Sequence, residues 1–148
     1  MRINVGCGDT KLKDYLNVDM SSKCNPDKVW DIRNIPYPKD WEGAERIEMN
    51  NIAEHIEAET FIKVVNECNR ILKPGGTLWI RVPELRQDNL MPCFTDPTHV
   101  NYFTTQTFGY YLKGHQRFKH FGKDYNIIPW SGRNQERHGI FLEITLIK

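Results

Sequence analysis

The chain has 148 residues, enough for one α/β domain over residues 1–148 built on a single sheet, and too few for two. Its 20 Lys and Arg nearly offset 19 Asp and Glu, and a formal charge of +1 leaves no overall field to draw it to nucleic acid or an anionic membrane. No apolar run approaches the roughly 20 residues that span a bilayer, and the N-terminus reads as a strand rather than a signal peptide. Cys7, Cys24, Cys68 and Cys93 show neither C-x-x-C spacing nor the density of a disulfide scaffold, so reduced thiols and a cytoplasmic location are expected.

The first expected strand, Ile3 to Val5, runs straight into Gly6-Cys7-Gly8. Glycine reaches positive φ and carries no Cβ, so a ligand can lie against this loop and meet main-chain N–H groups. Tyr15 to Val18 reads as a second strand closed by Asp19, whose carboxylate is placed to accept both hydroxyls of a ribose, as in dinucleotide folds. Only Asp9 to Val18 separates Gly8 from Asp19, too little for a full crossover helix, and the third glycine of G-x-G-x-x-G is missing. The spacing therefore favours an adenosine-containing cofactor other than NAD or FAD. Cys7 reads as a small residue tolerated in that loop. A short third strand, Lys28 to Trp30, ends at Asp31, which sets Gly6, Asp19 and Asp31 along one rim beyond the carboxyl ends of the strands, where open α/β sheets bind ligands. Both acids also suit turns and helix caps, but their shared position after consecutive strands favours the ligand.

Ile35 to Trp41 is a proline-punctuated loop in which Tyr37 and Trp41 either cover a base or seal the sheet edge. Arg46 to Met49 gives a fourth strand, with Asn50-Asn51 at its exit and Glu54-His55 in the element that follows. Phe61, Val64, Val65, Cys68, Ile71 and Leu72 recur at helical spacing and predict a helix from Thr60 to Lys73, stopped by Lys73-Pro74-Gly75-Gly76. Thr77 to Val82 is the fifth strand. The polar stretch from Leu85 to Phe103, with Asp96-Pro97-Thr98-His99, is long for a plain connection and reads as functional or disordered. Thr104 is placed to cap a helix that buries Phe108, Tyr111 and Leu112. Lys113 to Lys123 interleaves basic residues with Phe118 and Phe121, which suits a solvated edge strand or loop better than a nucleic-acid surface. His138 to Ile147 alternates as a strand and is expected to pair antiparallel with the stretch from Phe118 to Ile128.

Five motifs follow one another over about the first hundred residues: Asn4-Val5-Gly6-Cys7-Gly8, Asn17-Val18-Asp19, Asp31-Ile32 ahead of Ile35-Pro36-Tyr37-Pro38, Glu54-His55, and Leu72-Lys73-Pro74-Gly75-Gly76. As an ordered set they resemble the class I S-adenosylmethionine (SAM) dependent methyltransferases, in particular the compact type 11 group. The resemblance implies a Rossmann-like three-layer α/β sandwich, with a mostly parallel sheet in the order 3-2-1-4-5-7-6 and a reduced first crossover helix. It implies SAM as cofactor and S-adenosylhomocysteine (SAH) as product, held by Asn4, Gly6, Cys7, Gly8, Asp19, Met20, Asp31, Ile32, Asn50 and His55. In that set Asp19 would hold the ribose diol, Asp31 would accept from the adenine amino group, and the Ile32 N–H would reach a ring nitrogen. Asn4 stands where the wider family often has an acid, and can meet the methionyl ammonium only through a neutral amide oxygen. An Asp-Pro-Thr-His segment after the fifth strand recurs in the group and would approach the mouth of the pocket.

Methyl transfer needs an acceptor lone pair aligned opposite the departing sulfur, and a base only where the acceptor must lose a proton. His99, His55 and Asp96 are the candidate catalytic residues, with Glu54 beside them. Neutral imidazole takes a proton near pH 7, and a neighbouring acid can orient the ring. His55 can equally anchor its own helix together with Glu54. The histidines and Asp96 lack a tight ligand motif, so no metal site is expected. Asn50-Asn51-Ile52-Ala53 lacks the N/D-P-P-Y/F element of nucleic-acid amino methyltransferases, which counts against a nucleic-acid acceptor. The expected function is methyl transfer to a hydroxyl or other heteroatom of a small molecule or saccharide. The alternative is a non-catalytic SAM/SAH-binding partner of a larger enzyme. With no helices ahead of the first strand to roof the acceptor, a homo-oligomer, a partner subunit or a bulky acceptor is expected to complete the pocket.

Overall fold

The structure, a computed structural model, describes residues 1–148. Seven strands make one sheet: β1 (Arg2–Val5), β2 (Leu16–Asp19), β3 (Lys28–Val29), β4 (Ala44–Asn50), β5 (Leu72–Pro83), β6 (Gly132–His138) and β7 (Phe141–Ile147). Their order is β3-β2-β1-β4-β5-β7-β6, with β1 to β5 parallel and β7 antiparallel to both its neighbours. The α/β class and the strand order are those the resemblance implies.

Alternation sets the layers. Ile3, Val5, Val18, Ile47, Met49, Leu78, Ile80, Val82, Leu142, Ile144 and Leu146 are buried on one face. Against that face packs helix α1 (Ala58–Ile71), through Phe61, Val64, Val65, Cys68 and Ile71 at helical spacing. Phe103, Phe108 and Tyr111 complete the cover, with the Phe61 and Phe103 rings edge to face at 5.2 Å. The alternate residues of β4, β5 and β7, among them Glu48, Trp79, Arg81, Glu143 and Thr145, are only half-buried. The sandwich is therefore thin on this second side. The connection from β1 to β2 is made of turns, and that from β2 to β3 holds a single 3₁₀ turn, Ser22–Cys24. The reduced first crossover helix has disappeared altogether, because ten residues cannot hold a helix and its two turns.

Three local expectations change. The helix from Thr104 shrinks to a 3₁₀ turn, Thr107–Tyr111, in which Phe108 and Tyr111 are still buried. Threonines and Gly109 propagate a helix poorly, and the turn is held by burial of Phe108 and Tyr111 and by a Gly109 N–H bond to Gln106 C=O at 3.1 Å. The partner of β7 is Gly132–His138, not residues 118–128, and Gly139 at φ 63° makes the tight hairpin between them. β6 was hard to see because an edge strand rich in charge and amide carries no apolar alternation. Residues 118–122 form a single wide helical turn instead, where Phe121 stacks on Tyr125 at 6.0 Å and Arg117 sits over the Tyr110 ring. No helix is long and apolar enough to cross a membrane.

Candidate functional site

Three clefts adjoin at the carboxyl ends of β1 to β5. The first, about 280 Å³, is lined by Gly6, Asp19, Met20, Trp30, Asp31, Ile32, Arg33, Asn51, Ile52, His55 and Ile56. A second, lined by Asn4, Gly6, Cys7, Gly8, Asn50 and Asn51 among others, meets it across Gly6. The third, lined by Asn51, Glu54, His55, Asp96 and His99 among others, shares Asn51 and His55 with the first. Asn51 faces all three, from a left-handed backbone conformation at φ 52° just beyond β4.

The glycine loop owes its shape to polar side chains beneath it. Both amide hydrogens of buried Asn4 are committed, to Thr10 C=O and Asn17 Oδ1 at 3.0 Å each, which leaves its oxygen for anything bound in the second cleft. Asn17, also buried, accepts from Leu12 N–H, donates to Leu12 C=O and Tyr15 C=O, and is held by Asp27. Asp27 takes Asn17 N–H as well, and these two bonds hold its carboxyl below the ordinary range. Gly6 at φ 66° cannot be replaced freely, since an added Cβ would lie 2.0 Å from Ile52 Cδ1. Cys7 is buried, its N–H bonded to Val18 C=O, and burial raises its thiol pKa, the behaviour of a packed residue rather than a reactive one.

Asp19 closes the loop from the next strand. Its Oδ2 accepts from Gly8 N–H and its Oδ1 from Ser21 N–H, both at 2.8 Å, so the carboxylate is fixed in place and keeps lone pairs on each oxygen. Asp31 is differently placed. Arg33 grips it with Nε at 2.9 and 3.1 Å, Nη2 at 2.7 Å and its own N–H at 2.9 Å, which lowers the Asp31 pKa. Three Arg33 N–H groups, Nε shared between both oxygens, thus occupy the carboxylate, and an adenine amino group would compete with them. Tyr37 and Trp41 seal the sheet edge. Both are buried, the Tyr37 hydroxyl donates to Ile32 C=O, and it is Trp30, packed edge to face on Trp41, that lines the first cleft.

The third cleft is assembled from distant parts. Val100 and Asn101 N–H both donate to Glu54 C=O, at 2.9 and 3.1 Å, which draws the Leu85–Phe103 stretch over the end of β4. This puts the His55 and His99 rings edge to face with centroids 4.9 Å apart. His99 Nδ1 lies 3.0 Å from Cys93 C=O, and a carbonyl only accepts, so Nδ1 carries the proton and Nε2 the lone pair. The Thr98 hydroxyl donates to Asp96 Oδ1 at 2.6 Å and must then accept from His55 Nδ1 at 3.0 Å, which leaves the His55 lone pair on Nε2 as well. Asp96 orients His55 through Thr98 and stands 3.9 Å from His99 Nε2, outside hydrogen-bond range. Those bonds from Thr98 hold its carboxyl low. Glu54 is 2% exposed; burial raises its pKa, against the pull of its own N–H and of the two histidines.

No protein-family model and no curated protein matches the sequence. Solved structures do match. A SAM-dependent methyltransferase from Archaeoglobus fulgidus aligns with a TM-score of 0.67 at 11% identity, over 99% of this chain and 85% of that one. The fold is that of the class I SAM-dependent methyltransferases. A protein from Pyrococcus horikoshii aligns at 0.64 and 14% identity, over 99% of this chain and 80% of its own. So does a SAM-dependent methyltransferase from Thermotoga maritima, described as a possible histamine N-methyltransferase, at 0.63 and 14%, over 99% and 81%.

On this methyltransferase fold the ten residues expected at the cofactor divide between two clefts. Gly6, Asp19, Met20, Asp31, Ile32 and His55 line the first, whereas Asn4, Cys7, Gly8 and Asn50 line the second, which Gly6 also reaches. His55, His99 and Asp96 come together in the third. Sequence reasoning missed Trp30 and Arg33 in the first cleft, Asn17 and Asp27 under the loop, and Thr98 between Asp96 and His55. Trp30 directly precedes Asp31, and that adjacency was the available signal for it; Arg33, two residues beyond the acid, had none. Nothing in the sequence marks Asn17 as buried.

Proposed function

We propose that this chain is a SAM-dependent methyltransferase that moves a methyl group to a hydroxyl, or another heteroatom, of a small molecule or saccharide. The observation that carries the reading is the junction of clefts: a slot with two carboxylates and an apolar wall opens, across Asn51 and His55, onto two imidazoles whose lone pairs are free. The slot suits an adenosyl group. Gly6 at positive φ with no Cβ, Asp19 fixed for a diol, and Trp30, Ile32, Ile52 and Ile56 for the base supply its polar and apolar contacts. Asn4 oxygen, facing the second cleft, would take the methionyl ammonium. When bound, the sulfonium supplies an electrophilic methyl group. His99 Nε2 is the proton acceptor for an acceptor hydroxyl, its tautomer set by Cys93 C=O, and His55 positions the acceptor from the opposite side.

Calorimetry with SAM and SAH, followed by transfer of labelled methyl to cell extract fractionated into glycans, RNA, proteins and metabolites, tests this. His99→Gln is expected to cut transfer by about 10²- to 10⁴-fold, the usual worth of a proton acceptor, with SAM affinity unchanged. Binding of SAM with no labelled fraction would instead fit a non-catalytic SAM-binding partner. No binding of either compound would reject both readings.

A further inference from the structure

We propose that Glu54, His55 and His99 form a divalent transition-metal site at the junction of the first and third clefts. Their ligand atoms lie within 4.8 Å of one another, although the residues come from two segments more than forty positions apart. In a tetrahedral set two atoms bound at about 2.1 Å stand about 3.4 Å apart, so a side-chain movement of up to about 1.4 Å closes the set. His55, whose side chain faces solvent, has room to make it.

A second feature points independently to a ligand. Glu54 Oε2 is buried and has no hydrogen-bond partner, in a residue 2% exposed. An orphaned carboxylate oxygen in a protein interior is costly, and a cation beside two imidazoles would satisfy it. The outer contacts also have the pattern of metal-binding histidines, which donate the second ring N–H to a carbonyl or a carboxylate. His99 does so to Cys93 C=O, and His55 reaches the Asp96 carboxylate through the Thr98 hydroxyl. Both rings therefore present Nε2 lone pairs. Two imidazoles with one carboxylate suit Zn²⁺, Mn²⁺, Co²⁺ or Fe²⁺ better than Ca²⁺, and three protein ligands leave positions open for oxygen from an acceptor. Binding the ion takes the Nε2 lone pairs, so in the loaded protein the histidines would hold an acceptor through the metal rather than remove its proton.

The test is metal binding itself, independent of methyl transfer. Metal-free protein is titrated with Co²⁺, followed by its visible absorption, and with Zn²⁺, followed by calorimetry. One ion per chain is expected. Glu54→Gln and His99→Ala are each expected to weaken binding by at least about 100-fold, and Thr98→Val, which cuts the outer link to His55, by about 10- to 100-fold. His138→Ala serves as the control, because His138 near Glu136 and Glu143 is the other histidine with carboxylate neighbours; binding should not change. Folded protein that takes up no ion overturns the proposal. So does binding that survives both Glu54→Gln and His99→Ala, or that is lost with His138→Ala. SAM titration of the same metal-free protein tells this failure from failure of the methyltransferase reading.

Discussion

Asp19 ends β2 and Glu54 follows β4, both parallel strands, and their surroundings are opposite. Asp19 belongs to a rim in which main chain does most of the holding: Gly8 and Ser21 N–H groups fix its oxygens, and Asn4 and Asn17 pin the glycine loop behind it. Everything there lies within a few residues of a strand end. Glu54 belongs to a cluster held by side chains, made only when Val100 and Asn101 dock on its carbonyl and bring His99 to His55. The rim is fixed in place and preorganised, whereas the cluster has an orphan oxygen and two free imidazole nitrogens. A rim of this kind binds one ligand the same way each time, and a cluster with open valences is where chemistry or a metal can enter.

The sharpest way to break this comparison is Gly6→Ala, since Gly6 lines the first and second clefts and abuts Ile52. A side chain at φ 66° is strained, and its Cβ at 2.0 Å drives Ile52 into the first cleft. The backbone strain of roughly 1–2 kcal/mol adds to roughly 1–3 kcal/mol of overpacking, and as the loop and Ile52 shift into the cleft to relieve it SAM affinity should fall by about 30-fold or more. Adding Ile52→Ala should recover the collision part and leave the backbone part. Calorimetry on the single and double variants checks this, and full recovery in the double variant would mean that φ at residue 6 does not matter.

Asp19→Ala comes next. It removes a charged acceptor for the ribose and releases two N–H groups that hold the loop. A charge-assisted bond contributes about 1.5–3 kcal/mol, so SAM should bind about 10- to 150-fold more weakly, with Asp19→Asn between that and wild type. Unchanged affinity by calorimetry would remove Asp19 from the rim.

The same contrast explains what could be read in advance. Glycines and acids at strand ends act through local backbone, so Gly6, Gly8, Asp19 and Asp31 could be placed on one rim from the sequence, while the strand order came only through the resemblance to class I methyltransferases. Arg33, whose grip occupies Asp31, could not, because an arginine two residues from an acid is usually just solvated. His55 and His99 were named singly, but Glu54 as a buried, unpartnered neighbour and Thr98 as the link to Asp96 depend on how the Leu85–Phe103 stretch folds back. No local pattern states that. β6 was hidden for another reason: an edge strand can be polar throughout and still pair through its backbone.

Glu67 gives the smallest test and the closest counterpart to Glu54. It too is a buried glutamate, but its oxygens accept from Tyr37 N–H at 2.6 Å and from Arg70 at 2.8 and 2.9 Å. Burial alone would raise its pKa; Arg70 and the Tyr37 N–H outweigh that, and the net shift is downward. These bonds hold the Ile32–Trp41 segment, whose first residues Ile32 and Arg33 line the first cleft, against α1. A carboxyl whose folded pKa lies below its unfolded value adds stability above the unfolded value and loses it as pH falls through the folded one. Glu67→Gln should therefore lower stability at neutral pH by about 1–3 kcal/mol. The gap from wild type should close on acidification below the usual glutamate range near pH 4.3. Urea unfolding at a series of pH values measures it, and a gap that stays constant down to pH ~2.5 would show that Glu67 acts by packing, not by the charge that sets it apart from Glu54.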